Sequence, residues 1–180
     1  TDTTVKRCFN TGEVDAIDDD MGLPCVGGLI GCLSSKASTS ITVQNCYNAG
    51  AVSGGQDVGG LLGLLTATSC SNKGQVILTN CYSAASSVTS NESFLPGDPV
   101  TIGSGIGRLS KYNSPELLKI SNVFVREHGD LDAIGADTDN SGIDFNDIML
   151  ISNAQMTDLS FAPLLGGAYT WWSDSIYSSQ

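Results

Sequence analysis

Short apolar runs separated by glycine and polar residues fill the first half of the chain. Examples are the stretches at 41–46, 49–53 and 58–62, each about four to six residues long, which is the usual length of a β-strand. Apolar residues in this half do not recur at the three- and four-residue spacing of an amphipathic helix. The pattern therefore predicts many short strands joined by tight turns.

One motif recurs three times along this half, always in the same order. The copies are VKRCFNTGEV at 5–14, VQNCYNAGAV at 43–52 and the looser LTNCYSAASSV at 78–88. Each copy is followed by a glycine-punctuated apolar block: VGGLIG at 26–31, VGGLLG at 58–63 and IGSGIG at 102–107. A fourth, weaker copy begins at Leu118. Internal repetition of this kind is typical of repeat architectures.

The repeats predict columns of equivalent residues. The anchors Cys8, Cys46, Cys81 and Val123 lie 38, 35 and 42 residues apart. Repeats of this length made of short strands are typical of solenoids, whose coils stack as layers about 4.8 Å apart. The cysteines then form one column, and an aromatic column adjoins it: Phe9, Tyr47, Tyr82 and Phe124. We expect one of these two columns to face the interior.

The motif Asn-Cys-Tyr-x-x-Gly-x-Val, followed by Val-Gly-Gly-Leu-Leu-Gly, resembles the GLUG repeat of bacterial secreted and surface-anchored proteins. The resemblance covers about residues 5–107, and the ending at 150–172 is similar to the helix and aromatic segment that often follow such repeats. It implies an adhesin-like module located outside the cell or on the bacterial cell surface. Some relatives accompany metallopeptidases, but this chain has no His-Glu-x-x-His motif and one histidine, so no protease activity is implied.

We therefore predict an all-β fold, a right-handed parallel β-solenoid (β-helix) of about four coils with a short C-terminal capping helix. The handedness is taken from the resemblance. Residues 1–126 are assigned to the repeats, and residues 127–180 to a degenerate last coil, an acidic loop and a lid. The helix is expected to start at Thr157, a suitable N-cap residue. Trp171 and Trp172 belong to the lid, where one is expected to pack inside and the other to stack on a sugar ring or simply to pack.

An acidic segment at 127–147 holds seven carboxylates and no Lys or Arg. Its centre matches the first half of a calcium loop, in which alternate oxygens turn inward. The second half does not match, because Ile148 stands where an EF-hand has its final Glu. The candidate calcium ligands are Asp137, Asp139, Ser141, Asp144 and Asp147. The alternative is a solvated acidic turn.

Charge and hydropathy exclude several classes of partner. Asp and Glu outnumber Lys and Arg by 19 to 8, for a net charge of −11, which disfavours nucleic acid and anionic membrane surfaces. The longest apolar stretch, 58–65, is cut by glycines and is far shorter than the ~20 residues of a membrane span. No cofactor other than calcium is expected.

The six cysteines lie within the first 81 residues and form no Cys-x-x-Cys pair, which disfavours a structural zinc site. We interpret the column cysteines as small buried apolar residues or as disulfides rather than as a metal or redox site. Cys25, Cys32 and Cys70 lie outside the column. In an exported protein, one disulfide between two of these three cysteines is an alternative.

The predicted function is that of a non-catalytic structural and binding module within a longer parent chain, contacting glycans or host and neighbouring-cell proteins. The loops at 15–23, 90–98 and 130–147 are the expected contact regions. Two alternatives stay open: a polysaccharide-acting enzyme on a β-helix scaffold, with two carboxylates facing a groove, and a passive spacer. The local basic residues are predicted to be solubilising surface: Arg108, Lys111, Lys119 and Arg126. The first repeat begins without a capping segment, so we expect further sequence or a partner to cover it.

Overall fold

The computed structural model describes residues 2–16, 25–36, 39–68, 75–90, 99–110, 118–138 and 148–157. Within these ranges the chain is almost entirely β-structure, and every strand pairing is parallel. The prediction of an all-β fold is therefore confirmed.

The strands follow the sequence repeats. The first repeat contains β1 (Thr3–Lys6), β2 (Phe9–Asn10), β3 (Val14–Asp15), β4 (Cys25–Gly27) and β5 (Ile30–Lys36). The second contains β6 (Ile41–Gln44), β7 (Tyr47–Asn48), β8 (Val52–Gly54), β9 (Asp57–Gly59) and β10 (Leu62–Thr68). The third contains β11 (Val76–Ser83), β12 (Val88–Ser90), β13 (Thr101–Gly103) and β14 (Ile106–Ser110). The rest of the described chain forms β15 (Leu118–Arg126), β16 (Ile134–Asp137), β17 (Ile148–Ile151) and helix α1 (Asn153–Thr157).

Equivalent strands of successive repeats pair into four parallel sheets. The first sheet has the order β1-β6-β11-β15-β17, with β2 and β7 continuing the first two rows, and the second has the order β3-β8-β12. The third sheet is β4-β9-β13, and the fourth is β5-β10-β14-β16. In each of the first three repeats the chain thus visits the four sheets in turn and then returns to the first sheet. The repeats seen in the sequence are the rows of these sheets.

The registers align the predicted columns. Tyr47 pairs with Phe9 on one side and with Tyr82 on the other, and Phe124 follows Tyr82. Cys81 aligns with Val123 in the neighbouring row. Equal repeats therefore place equal residues on top of one another, as the sequence spacing predicts.

The cysteine column is the one that faces the interior. Cys46 and Cys81 are buried and belong to the main core, together with Leu65 and Leu109. The aromatic column packs in a separate, smaller cluster. Cys8, at the same position of the first repeat, is exposed, because the described chain covers this repeat on one side only.

Glycines allow the third and fourth sheets to meet without intervening side chains. A Cβ added to Gly107 would lie 2.6 Å from both the carbonyl oxygen of Gly63 and the amide nitrogen of Val58, closer than carbon can approach. The glycine blocks of the motif are thus sites where backbones touch, a role that glycine alone can fill.

The described helix lies earlier than the sequence suggests. Helix α1 ends at Thr157, the residue at which we expected a helix to begin. Ser152 and Gln155 form a capping box at its start: the Gln155 amide donates to Ser152 Oγ (3.4 Å), and the Ser152 amide donates to Gln155 Oε1 (2.9 Å). This reciprocal pair explains where α1 begins. The predicted helix beyond Thr157, with Trp171 and Trp172, lies outside the described residues.

Candidate functional site

The predicted calcium ligands fall mostly outside the described residues. Asp137 is described and closes β16, in register with Leu109. Asp139, Ser141, Asp144 and Asp147 lie outside, as do most of the three predicted contact loops. Among the described residues, no group of three or more His, Cys, Asp or Glu side chains is arranged to hold a metal ion. The calcium site stays a prediction.

The aromatic column is a stack of parallel rings. The ring centroids of Phe9 and Tyr47 are 5.3 Å apart with 9° between the planes, and those of Tyr47 and Tyr82 are 4.9 Å apart with 10°. Exposure falls along the column from 62% at Phe9 to 5% at Tyr82 and 2% at Phe124. Met156 of α1 packs against the buried end of this cluster. Among the described residues, Phe9 is thus the exposed ring of this column and Phe124 the most buried one.

Burial changes the acidity of the two phenols in the column. It raises the pKa of Tyr47 and, together with the nearby Tyr47 hydroxyl, raises the pKa of Tyr82. Both rings therefore stay neutral at physiological pH. Tyr47 is partly exposed, whereas Tyr82 is buried.

An asparagine column runs along the corner before the cysteine positions. Asn45, Asn80 and Asn122 all have left-handed backbone, with φ of 55°, 52° and 52°. The Asn80 Nδ2 donates to Asn45 Oδ1 (3.2 Å), and the Asn122 Nδ2 donates to Asn80 Oδ1 (3.1 Å). Asparagine tolerates this conformation better than most residues, and parallel stacking lets each amide bond to the next. In the first repeat, Arg7 occupies this corner with φ of 57°.

This asparagine column was not identified from the sequence, although a signal for it exists. An Asn directly precedes Cys46, Cys81 and Val123, and an Asn at a recurring corner is a sign of left-handed backbone. The column lies partly exposed beside hydroxyl groups, since Thr79 Oγ1 and Ser121 Oγ are 2.9 Å apart in the neighbouring column. We call these amide and hydroxyl groups, Asn45, Asn80, Asn122, Thr79 and Ser121, the polar strip.

A fully buried asparagine joins two corners of the second repeat. Asn48 Nδ2 donates to the carbonyl oxygens of Gly50 and Gly60, both at 2.9 Å. Its Oδ1 accepts from the Gly50 amide (3.1 Å) and from Asn10 Nδ2 (2.9 Å). All polar atoms of this side chain are satisfied within the protein. Its role is therefore structural.

A buried ion pair ties together three repeats. Asp57 is fully buried, and its carboxylate accepts from Arg108 Nη2 and from Thr101 Oγ1, both at 2.7 Å. The Cys25 thiol donates to the same carboxylate at 3.5 Å. Burial and the adjacent Asp57 raise the pKa of Cys25 to about 12. The interpretation of Arg108 as a solubilising surface residue was wrong: its side chain is 24% exposed and neutralises a carboxylate that has no access to water.

Cys46 and Cys81, the buried residues of the cysteine column, lie in the apolar core. Cys46 Sγ donates to the Gln44 carbonyl (3.2 Å), and Cys81 Sγ donates to the Thr79 carbonyl (3.3 Å). Hydrogen bonding to Cys46 and burial raise the pKa of Cys81. The described cysteines, including Cys25, are free thiols, while Cys70 lies outside the described residues.

Comparisons with known proteins found no match. No protein-family model matches the chain, and no curated protein or solved structure is significantly similar to it. Among the residues that the structure describes, no helix is both long and apolar enough to cross a bilayer.

Proposed function

We propose that this chain is a right-handed parallel β-solenoid of the GLUG-repeat type that serves as a non-catalytic binding module. It would be part of a longer, adhesin-like protein outside the cell or on the bacterial cell surface. Four parallel sheets with in-register rows support the solenoid architecture, since strands that visit the sheets in turn wind around a common axis. The repeat motif supports the GLUG assignment.

The partner that we favour is a glycan bound along the polar strip. The observation that carries this proposal is the asparagine column: three amides at equivalent positions of successive repeats, joined in a row by hydrogen bonds. The exposed ring of Phe9 lies in the first repeat, where Arg7 occupies the corresponding corner. Amide and hydroxyl groups donate to and accept from sugar hydroxyls, and aromatic rings stack on the apolar faces of sugars. A row of such groups at the repeat spacing suits an extended chain of similar units.

The buried charges support a structural use over a catalytic one. The carboxylate of Asp57 is held by Arg108 and Thr101 and is sealed from solvent. A general acid or base must reach its substrate, and this group does not. The net charge of −11 also favours a neutral partner over nucleic acid.

The experiment is binding of the immobilised chain to a panel of glycans and matrix proteins, with calcium and then with a chelator. Asn80→Gly tests the polar strip, because glycine keeps the left-handed backbone and removes the amide. Ser34→Ala, an exposed change on β5 in another sheet, is the matched control. We expect saturable glycan binding that Asn80→Gly weakens and Ser34→Ala preserves.

Each other outcome has a defined meaning. Equal binding by Asn80→Gly and Ser34→Ala would show that the polar strip is not the binding site. Loss of binding in chelator would place the site at the acidic segment 137–147. Absence of binding to every member of the panel would contradict the proposed binding function and favour a passive spacer.

A further inference from the structure

Two cysteines flank the first glycine block. Cys25 lies in β4 and Cys32 lies in β5, the two strands that this block joins. We infer that Cys25 and Cys32 form a modification site, at which a small disulfide such as oxidised glutathione oxidises them to an intramolecular disulfide bond. The inference goes beyond the proposed function, because it rests on the arrangement of β4 and β5 and not on any bound partner.

The backbones of β4 and β5 touch beside these cysteines. A Cβ added to Gly31 would lie 2.5 Å from the Cys25 carbonyl oxygen, and a Cβ added to Gly27 would collide with the Ile30 carbonyl oxygen. The Cys25 and Cys32 thiols are close enough to interact electrostatically. A disulfide needs Cα atoms within about 7 Å of each other, which two strands without intervening side chains allow.

The equivalent positions of the third repeat direct their side chains to one point. Cys25 occupies the position of Thr101, and Cys32 occupies the position of Arg108. Thr101 Oγ1 and Arg108 Nη2 each donate to the Asp57 carboxylate at 2.7 Å. The Cys25 thiol donates to the same carboxylate at 3.5 Å. Side chains at these two positions therefore turn towards a shared space, and in the first repeat both of them are thiols.

The two thiols differ in how readily they react. Cys32 is exposed, and Leu64 and Arg108, which share its position in rows with a neighbour on each side, are partly exposed as well. Exposure is therefore a property of this position in the fourth sheet. Burial and the adjacent Asp57 raise the pKa of Cys25 to about 12. Because the thiolate is the attacking form, Cys32 reacts first with an external disulfide.

The reaction consists of two thiol–disulfide exchange steps. The Cys32 thiolate attacks one sulfur of oxidised glutathione, a mixed disulfide forms, and one glutathione thiolate leaves. Cys25 then gives its proton to solvent, its sulfur attacks the Cys32 sulfur, and the second glutathione thiolate leaves. Two protein thiols are thus oxidised while one glutathione disulfide is reduced to two thiols. The Asp57 carboxylate loses its contact with Cys25 and keeps its hydrogen bonds from Arg108 and Thr101.

Incubation of the reduced full chain with oxidised glutathione tests the site. We expect a product lighter by two hydrogen atoms in mass spectrometry. Two of the six thiols should no longer react with an alkylating reagent after denaturation. Chymotrypsin cleaves after Leu29, which lies between the two cysteines. The digest should contain one peptide with Cys25 linked to one with Cys32, and reduction should separate them.

Serine variants identify the two sulfurs. Cys25→Ser should stop at the glutathione adduct on Cys32, and Cys32→Ser should not form the lighter product. Cys8→Ser is the matched control, because Cys8 is another exposed thiol of the first repeat, and it should form the product normally. Absence of the lighter product from the unchanged chain, or a bond from either cysteine to another one such as Cys70, would overturn the inference. Neither result affects the glycan experiment, which depends on Asn80.

Discussion

Asn48→Ala removes the side chain that joins two corners of the second repeat. Four hydrogen bonds disappear: two donated to the Gly50 and Gly60 carbonyls, one accepted from the Gly50 amide and one accepted from Asn10. The side chain is fully buried, and a Cβ on Gly28 would collide with it. Water therefore has no ready route to the groups that the substitution leaves without partners.

The size of the effect follows from those groups. A buried donor or acceptor left unsatisfied costs about 1–3 kcal/mol. The Gly50 and Gly60 carbonyls and the Gly50 amide are all left in this state, so we expect Asn48→Ala to lower the free energy of unfolding by about 3–9 kcal/mol. That is a large share of the ~5–15 kcal/mol available to a typical domain.

Asn10→Ala is the matched control, because Asn10 makes the same local turn in the first repeat. Its Nδ2 donates to the Gly12 carbonyl (2.7 Å), and its Oδ1 accepts from the Gly12 amide (3.1 Å), but these contacts are exposed. The bond from Asn10 Nδ2 to Asn48 Oδ1 is lost in both variants and does not distinguish them. Water can replace them, so the expected cost is about 0.5–1.5 kcal/mol.

The assay is urea unfolding followed by circular dichroism, with the free-energy change taken from the midpoint and the slope. Asn48→Ala should shift the midpoint to lower urea by clearly more than Asn10→Ala. Equal shifts for the two variants would refute the reasoning, because burial is the main difference between them.

Three further changes have expected outcomes. Arg7→Asn should raise the free energy of unfolding by about 0.5–1 kcal/mol, and with it the urea midpoint, because Asn tolerates the left-handed backbone and offers an acceptor to Asn45 Nδ2; a lower midpoint would contradict this. Cys46→Asp should abolish the cooperative unfolding transition, because it buries an unpaired charge in the core; a native melting temperature would show that the column is not buried. The pKa of Cys25 is about 12 in the folded protein and 9.0 for a thiol in the unfolded chain. Because the folded state holds this proton more tightly, the free energy of unfolding falls as pH rises from about 9 towards 12. Cys25→Ala should make that loss shallower in urea unfolding across this range, and an unchanged pH dependence would count against the Asp57 contact.

The sequence was most informative along the stacking direction. Parallel rows of equal length bring each residue onto its own counterpart, so Cys46 above Cys81 and Tyr47 above Tyr82 follow from the spacing of the motif. The all-β fold follows from the same short runs. The asparagine column could also have been predicted, because Asn45 and Asn80 directly precede Cys46 and Cys81 in the sequence.

Contacts between different columns could not be predicted in this way. Arg108 and Asp57 are 51 residues apart and belong to different motif positions, so no repeat pattern brings them together. Asn48 contacts Gly60 across the repeat, and nothing local distinguishes it from the more exposed Asn10. These pairs depend on how closely the sheets approach, which the backbone contacts at the glycines determine.

The sequence by itself thus determined what stacks on what, because stacking joins identical positions and needs only the repeat length and strand-forming residues. The tertiary structure decided which column faces inward, which carboxylate is buried and how deeply each described ring of the aromatic stack is buried. Those outcomes depend on packing between non-equivalent side chains and on which rows have a neighbour. The exposed Phe9 and the buried Phe124 have the same residue type and the same place in the repeat, and they differ only in what covers them.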